Sequence, residues 1–401
     1  MLFRSLRLTD MQVTIEHLNW RSEGVGLGQT FRNVLAGETI DTATGQIIQA
    51  STERIEPFCK YYVRCGGCQL QHWQQLPYQD WKKNLIVAAL EKRGIKFPVA
   101  EIIDAHGAGR RRVSLHVRRK EGEVVAGFMA ARSHDLIDIE QCPILVPALQ
   151  NSTDIARKLG SRLGDCDVSL TAADNGLDVS VKAERKIADE QMPKLAGLVA
   201  ELNLARLTIN GNMIATSATP MVSIGKALVQ VPPGSFLQAT QAGEQALADL
   251  VINSLEKSKS VADLFCGIGP FALRIAEMAK VTAIDSDKPA IASLALASRL
   301  ATGIKPLKAE VRDLMREPLV ANELKDFDAV VFDPPRAGAE AQARQLAKST
   351  VKTIVAVSCD PASFARDAEI LVGGGYKLKS LTAVDQFKWT SHVEIVGAFG
   401  R

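Results

Sequence analysis

Four short apolar runs in the C-terminal part of this 401-residue chain set the strongest limit on its fold. They are Val261-Ala-Asp-Leu-Phe, Val281-Thr-Ala-Ile, Ala329-Val-Val-Phe and Thr353-Ile-Val-Ala-Val. Each puts apolar residues at successive positions, which suits a strand covered on both faces rather than one with a wet side. Ala- and Leu-rich stretches of helical character lie between them. Strand and helix alternating in this way predict an α/β fold, a parallel sheet with helices on both faces. The pattern begins near residue 235, and strand candidates at 376–384 and 392–399 close the chain.

The upstream sequence is different. Over residues 11–57, Val13 and Ile15 alternate with polar residues and Gly24, Gly26 and Gly28 interrupt the pattern, which predicts short strands in a small barrel. Residues 58–72 hold three crowded cysteines. A helix is expected over 78–92, with Trp81, Leu85, Ala88 and Ala89 on one face and Gly94 ending it. Residues 110–231 read as mostly strand, punctuated by Gly122, Gly127, Asn175-Gly176, Asn210-Gly211 and Pro232-Pro233. The expected division is a short barrel over 11–57, a cysteine-containing and mostly β region over 58–234, and the α/β domain over 235–401.

With 46% hydrophobic and 23% charged residues, the composition is globular. No apolar run is long enough to span a bilayer. Residues 1–10 lack the apolar core and cleavage site of a secretory signal, and Met11 is an alternative start. The expectation is a soluble, cytoplasmic monomer. A net charge of +3 does not by itself require a nucleic-acid partner. The segment 110–120 is more pointed: Val113, Leu115 and Val117 alternate with Ser114, His116 and Arg118, and Arg110, Arg111, Arg112, Arg119 and Lys120 flank them. That is a half-buried strand with a basic face, either simply solvated or suited to phosphates.

Open α/β sheets bind ligands at the carboxyl ends of their strands. After the first run comes Asp263-Leu-Phe-Cys-Gly-Ile-Gly269, then a helix expected over 271–280. Gly267 and Gly269 permit a tight turn and a close approach of backbone to ligand. The second run ends in Asp285, where a carboxylate can accept hydrogen bonds from ribose hydroxyls. A full G-x-G-x-x-G is absent, so the turn suits a nucleoside cofactor without a pyrophosphate. Cys266 within it reads as a packed small residue.

The third run leads into Asp333-Pro-Pro-Arg336 and the fourth into Ser358-Cys-Asp-Pro361. Cys359 at this position is either structural or a nucleophile. One reaction would need it. Carbon 5 of uracil is a poor nucleophile until a thiolate adds at C6 and turns the ring into an enolate. After C5 takes up a methyl group, a base must remove its proton before the thiolate can leave. Glu394, in Ser391-His-Val-Glu394, is the candidate base, with His392 as a substitute on the same strand face.

These motifs resemble those of the bacterial RNA 5-methyluridine methyltransferase family. The resemblance runs from about residue 11 to the end. It rests on Phe236-Leu-Gln238, the 263–269 turn, Asp333-Pro-Pro-Arg336, Ser358-Cys-Asp-Pro361 and Asp385-Gln-Phe-Lys-Trp-Thr-Ser-His-Val-Glu394. It implies a class I methyltransferase sheet preceded by a mostly β central domain and an OB-like N-terminal barrel, S-adenosylmethionine as cofactor, and a uridine in ribosomal or transfer RNA as target. It implies Cys359 as nucleophile and Glu394 as proton acceptor. Gln238, Phe265, Asp285, Asp313 and Asp333 would line the pocket of cofactor and target base. The sequence departs from the family pattern at Pro270 and Thr240, where Asn is expected. The target base must be splayed out of its stack, with Trp73 and Phe236 as candidate stacking partners.

Cys59, Cys65 and Cys68 bring three thiols within reach of one centre, and Cys142 in Glu140-Gln-Cys-Pro143 offers a fourth. By spacing alone the set suits zinc or an iron–sulfur cluster. The resemblance implies [4Fe-4S] on these four cysteines. Two other functions fit parts of the sequence: a methyltransferase acting on an amino group, which would place an aromatic where Arg336 stands, and a non-catalytic RNA-binding iron–sulfur protein.

Overall fold

A computed structural model describes residues 12–185, 187–255 and 257–401. The absence of a signal in residues 1–10 and the alternative start at Met11 lie outside the described residues. The chain forms two compact units, and the boundary falls inside a helix, between Leu85 and Ile86. One unit comprises the residues up to Leu85 with Met129–His134 and Trp389–Ser391; the remainder forms the other. No helix among the described residues is long and apolar enough to cross a membrane.

In the first unit, the strands Gln12–Thr14, Thr39–Asp41 and Ile47–Gln49 form one antiparallel sheet, and His17–Leu18, Gly24–Gly26 and Gln29–Phe31 form another. Val13, Ile15, Val34 and Ile40 make one small core. Leu18, Leu35, Leu70, Trp73 and Tyr78 make a second. Gly24 and Gly26 are needed because a Cβ on either would run into Ile15 or Val13 at 2.6–2.7 Å. Trp73 sits in the core, 8% exposed, and donates its indole N–H to Glu53 at 2.8 Å, so it is not an open stacking surface.

The second unit holds two large sheets. The first, of seven strands, is ordered Leu136–Asp138, Glu123–Met129, Arg112–Lys120, Cys166–Ala173, Gly176–Ala183, Leu204–Ile209 and Asn212–Thr216. Two helices within this stretch, Ser152–Leu163 and Met192–Glu201, were not expected from the strand-like composition. Their apolar residues follow helical spacing: Ile155, Ala156, Leu159 and Leu163 are all buried. Gly160 lets the first helix close onto Val117, where a Cβ would meet the valine methyl at 2.3 Å.

The other sheet has eight strands, ordered Leu307–Val311, Lys280–Asp285, Ser260–Leu264, Ala329–Phe332, Thr353–Ser358, Glu394–Gly400, Lys377–Asp385 and Ile102–Asp104. The first five are parallel, and the four apolar runs are all among them, as expected for this fold class. Glu394–Gly400 is antiparallel to both its neighbours. The edge strand Leu307–Val311 escaped the sequence reading because Lys308 and Glu310 interrupt its apolar residues. The helix expected over 271–280 is only Ala272–Ile275, because the chain must turn in time for Lys280 to start the next strand. Ile102–Asp104 comes from far upstream and pairs in parallel with Ala383–Asp385 at the sheet's edge.

Candidate active site

The parallel strands deliver their final residues to one rim. Phe265 follows Leu264, Asp285 ends its own strand, Asp333 follows Phe332 and Cys359 follows Ser358. Glu394 joins them because its strand runs the other way: its beginning lies beside the end of Thr353–Ser358, with Ser358 paired to Ile395. A cavity of about 440 Å³ opens at this rim, lined by Gln238, Phe265, Gly267, Asp285, Asp313, Asp333, Cys359 and Glu394 among others. Gly269 is not in the lining. Its φ of +89° and a would-be Cβ at 2.5 Å from Leu294 show that it closes the turn against the helix Lys288–Leu300.

The turn after the first strand is tied down from both sides. Asp285 Oδ2 accepts from the Gly267 N–H at 2.9 Å, and Oδ1 accepts from the Asp287 N–H at 2.8 Å. Gly267 has φ +53° and open space where a Cβ would stand, so its backbone can meet a ligand directly. Phe265 adopts φ +62°, a left-handed conformation that a bulky residue takes only when its surroundings impose it. Beneath the turn, Asp263 is fully buried. Burial, then the charge of Asp333, raises its carboxyl well above the usual range, against the opposing pull of the Ala272 N–H. Cys266 is buried and raised as well, in keeping with a packed, inert thiol.

Around Cys359 the electrostatics are those of crowded carboxylates in a dry site. Burial, then the charges of Glu394 and Asp333, pushes the Cys359 thiol up to about 11. Burial lifts Asp333 to about 7 despite the hydrogen bond donated by Gln238 Nε2 at 3.1 Å. Burial and the Asp333 charge lift Glu394 to about 8, opposed by the Gln386 amide, whose Nε2 donates to Glu394 Oε1 at 3.0 Å. Raised this far, Glu394 is, in its ionised form, a stronger base than an ordinary carboxylate. Asp360 caps the helix Pro361–Gly373 by accepting from Ala362 and Ser363, each at 3.0 Å, which fixes the turn that carries Cys359.

Some sequence expectations fall away here. His392 is exposed and sits edge-on to Phe387 at 6.0 Å, before the strand begins at Glu394, so it shares no strand face with the carboxylate. The basic segment is mostly spoken for. Arg111 is buried and donates to Gln238 O at 3.0 Å and to Glu244 Oε2 at 2.5 Å. Arg112 donates to Leu237 O at 3.0 Å and lies 5.2 Å from the ring centre of Phe236, which stays 65% exposed at the cavity mouth. The Arg118 guanidinium donates to Cys166 O and Asp167 Oδ1, and that of Arg119 to Ser161 O, while the Arg119 backbone N–H donates to Asp165 Oδ1.

The sequence reading missed Glu244, Arg274 and Gln386. Glu244 lines the cavity and bridges Arg111 to Arg274, and Arg274 holds Pro270 O at 2.8 Å. Only the S-F-L-Q-A-T-Q-A-G-E run ahead of the first strand hinted at Glu244, since an acid in a first helical turn is common. Thr240, one of the two departures, caps the helix Gln241–Asn253 that carries Glu244: it accepts from Gly243 N at 2.9 Å and donates to Ala105 O at 2.6 Å.

In the first unit, Cys59, Cys65 and Cys68 lie half-exposed on one turn-rich loop, where the Gly67 N–H points at Cys65 Sγ at 3.4 Å. Burial raises the Cys65 thiol, and Cys59 adds to the shift. The donor chemistry fits a thiolate-held group, although among the described residues no three His, Cys, Asp or Glu side chains are gathered closely enough to hold an ion. Cys142 belongs to the second unit, in the turn whose carbonyl accepts from Leu145 N at 3.2 Å.

Comparison with known proteins gives the family. The profile of the tRNA (uracil-5-)-methyltransferase family matches residues 133–399. An RNA methyltransferase of Brucella suis, itself uncharacterised, is 43% identical, over 96% of both chains. The 23S rRNA (uracil(1939)-C(5))-methyltransferase of Halomonas elongata is 32% identical, over 87% of this chain and 77% of its own. The fold matches that of the Pyrococcus abyssi tRNA (uracil-54, C5)-methyltransferase, solved with S-adenosyl-L-homocysteine, at a TM-score of 0.77 and 21% identity, over 97% and 99% of the two chains. With the cysteine and the carboxylates at one rim and more than half of the chain matched, this protein belongs to the tRNA (uracil-5-)-methyltransferase family.

Proposed function

We infer that this chain, an S-adenosylmethionine-dependent RNA (uracil-C5)-methyltransferase, works through Cys359 as nucleophile and Glu394 as proton acceptor. The observation that carries the reading is the strand junction at Ser358 and Ile395, which lets the thiol and the carboxylate share one cavity with Asp333 and Gln238. Room in that cavity, the open Gly267 backbone and the Asp285 carboxylate fit a nucleoside cofactor. Phe265, Gly267, Asp285 and Asp313 would hold it, and Gly269 would act by closing the turn. When bound, S-adenosylmethionine supplies an electrophilic methyl group on a positively charged sulfur.

The residues of the chain do the rest. Asp333 and Gln238 offer an acceptor beside a donor, which fits the N3–H and O4 of uracil. Cys359 Sγ, ionised, bonds to C6, and the ring electrons this displaces make C5 nucleophilic. After C5 has taken the methyl, Glu394 removes its proton, the C5–C6 double bond re-forms and the thiolate leaves. Burial and the neighbouring carboxylates raise the Cys359 thiol, so positive charge close to its sulfur would favour the thiolate.

RNA carrying 5-fluorouridine tests this. Fluorine cannot leave as the proton does, so wild type should remain bound to the RNA through denaturation, and Cys359→Ala should not. A Cys359→Ser protein of full activity would refute the assignment. Mapping 5-methyluridine in ribosomal and transfer RNA from a strain lacking the protein identifies the target, a uridine in one or the other.

A [4Fe-4S] cluster on Cys59, Cys65, Cys68 and Cys142 is part of the same proposal. The tight spacing of the first three and the N–H aimed at Cys65 Sγ support it. Protein purified without oxygen should contain iron and acid-labile sulfide in equal amounts, and Cys65→Ser should lose both; zinc without sulfide would overturn the cluster. The methyl transfer uses no electron, so the cluster has no step in it. Action in the cytoplasm as a monomer, and the division at 57/58 and 234/235, complete the reading. Seven of the eight strands of the sheet that bears the site fall after residue 235.

A further inference from the structure

One fully buried side chain outside the cavity lining touches both ends of the reacting site. Gln386 follows the strand Lys377–Asp385 and is 0% exposed. Its Oε1 accepts from the Thr240 N–H at 3.4 Å. Its Nε2 donates to Gln238 Oε1 at 2.7 Å and to Glu394 Oε1 at 3.0 Å. Gln238 Nε2 in turn donates to Asp333 Oδ2 at 3.1 Å. The four side chains thus form one hydrogen-bonded line from Glu394 to Asp333.

The direction of that line is set at its start. A backbone N–H can only donate, so the bond from Thr240 fixes the oxygen of Gln386 and turns its NH2 toward the other two partners. Gln238 must then receive with its oxygen, which turns its own NH2 toward Asp333. Without Gln386 only Asp333 would orient the Gln238 amide, and Asp333 does so only while ionised, since its protonated carboxyl can donate to an amide oxygen. The packing is built to admit Gln386: a Cβ on Gly243 would meet Gln386 Cβ and Oε1, each at 2.7 Å.

We propose that Gln386 is a positioning residue that sets the amide orientation of Gln238 and holds the carboxylate of Glu394 toward Cys359, so that base recognition and proton removal share one support. This rests on the assignment of Cys359 and Glu394 above. The titratable groups facing Glu394 are Asp333 and Cys359. On the helix packed against Gln386, Glu244 is neutralised by Arg111 and Arg274, and Asp385 precedes Gln386 in the chain.

The test is Gln386→Met, which keeps the length and removes the polar atoms. Loss of the donor to Glu394 should move the acid limb of kcat/KM upward by about one pH unit. It should lower kcat by about tenfold or more, with the KM for RNA nearly unchanged. Gly243→Ala, which crowds Gln386 from the other side, should shift the limb in the same direction. If Gln386→Met does not fold, Gln386→Glu is read in its place; a second carboxylate beside Glu394 should move the limb further up. A folded variant with an unmoved pH profile and an unmoved kcat overturns the proposal. Adduct formation on 5-fluorouridine RNA by wild type separates the two failures: if wild type forms none, the catalytic assignment has failed; if it does and the variants behave as wild type, only the role of Gln386 has.

Discussion

Glu394 carries its burial as a pH signature. Its carboxyl sits at about 8 in the folded chain against an ordinary 4.5. Between those values the folded state binds a proton that the unfolded state has released, so stability falls as pH rises through this window and levels off above it. Glu394→Gln removes that titration. Its melting temperature should exceed that of wild type at about pH 8.5, and the difference should vanish near pH 4.5, as scanning calorimetry at a series of pH values would record. The same variant should also stall the reaction after methyl transfer, so that ordinary uridine RNA accumulates as a covalent complex visible on a denaturing gel. The place of Cys359 and Asp333 at the rim was legible in the sequence because each follows an apolar run, where an α/β sheet presents side chains to ligands; Glu394 was singled out only as the base that a nucleophilic Cys359 would need. Gln386 was not, since its partner Gln238 lies 148 residues away and no local pattern encodes that meeting.

The helix Gln241–Asn253 shows how an element far from the chemistry supports it. Glu244 in its first turn binds Arg111, which grips Gln238 O, and Arg274, which grips Pro270 O. The recognition segment and the glycine turn therefore hang from one carboxylate. Glu244→Ala would leave two guanidinium groups buried without their partner and should cost about 3–5 kcal/mol in urea unfolding. Thr240→Ala loses an N-cap and should cost about 1 kcal/mol by the same measurement. Thr240 stands where the family pattern has Asn, and the structure gives the reason the change is tolerated: both residues can accept from the helix N–H. At this scale the sequence showed strands buried on two faces clearly. It hid the helices Ser152–Leu163 and Met192–Glu201 among strand-like neighbours, because short amphipathic helices and half-buried strands use the same apolar residues at different spacing.

For the whole molecule, the α/β class was readable from four apolar runs, while the closure of its sheet was not. Ile102–Asp104 is three residues long and gave no strand signal, yet it occupies the edge beside Lys377–Asp385. Ile86 and Leu90 also belong to the core beneath that sheet. A fragment of residues 235–401 would lack all of these and expose the edge of Lys377–Asp385 to pairing with other copies. It should precipitate, or elute as large assemblies in size-exclusion chromatography, where the full chain does not. The same edge strand constrains how the molecule comes into being. Residues 102–104 are synthesised 281 residues ahead of their partners, Ala383–Asp385. The sheet that bears the reaction cannot be finished as a late, self-contained module; an early stretch of chain has to stay unclaimed until its distant partner has been made.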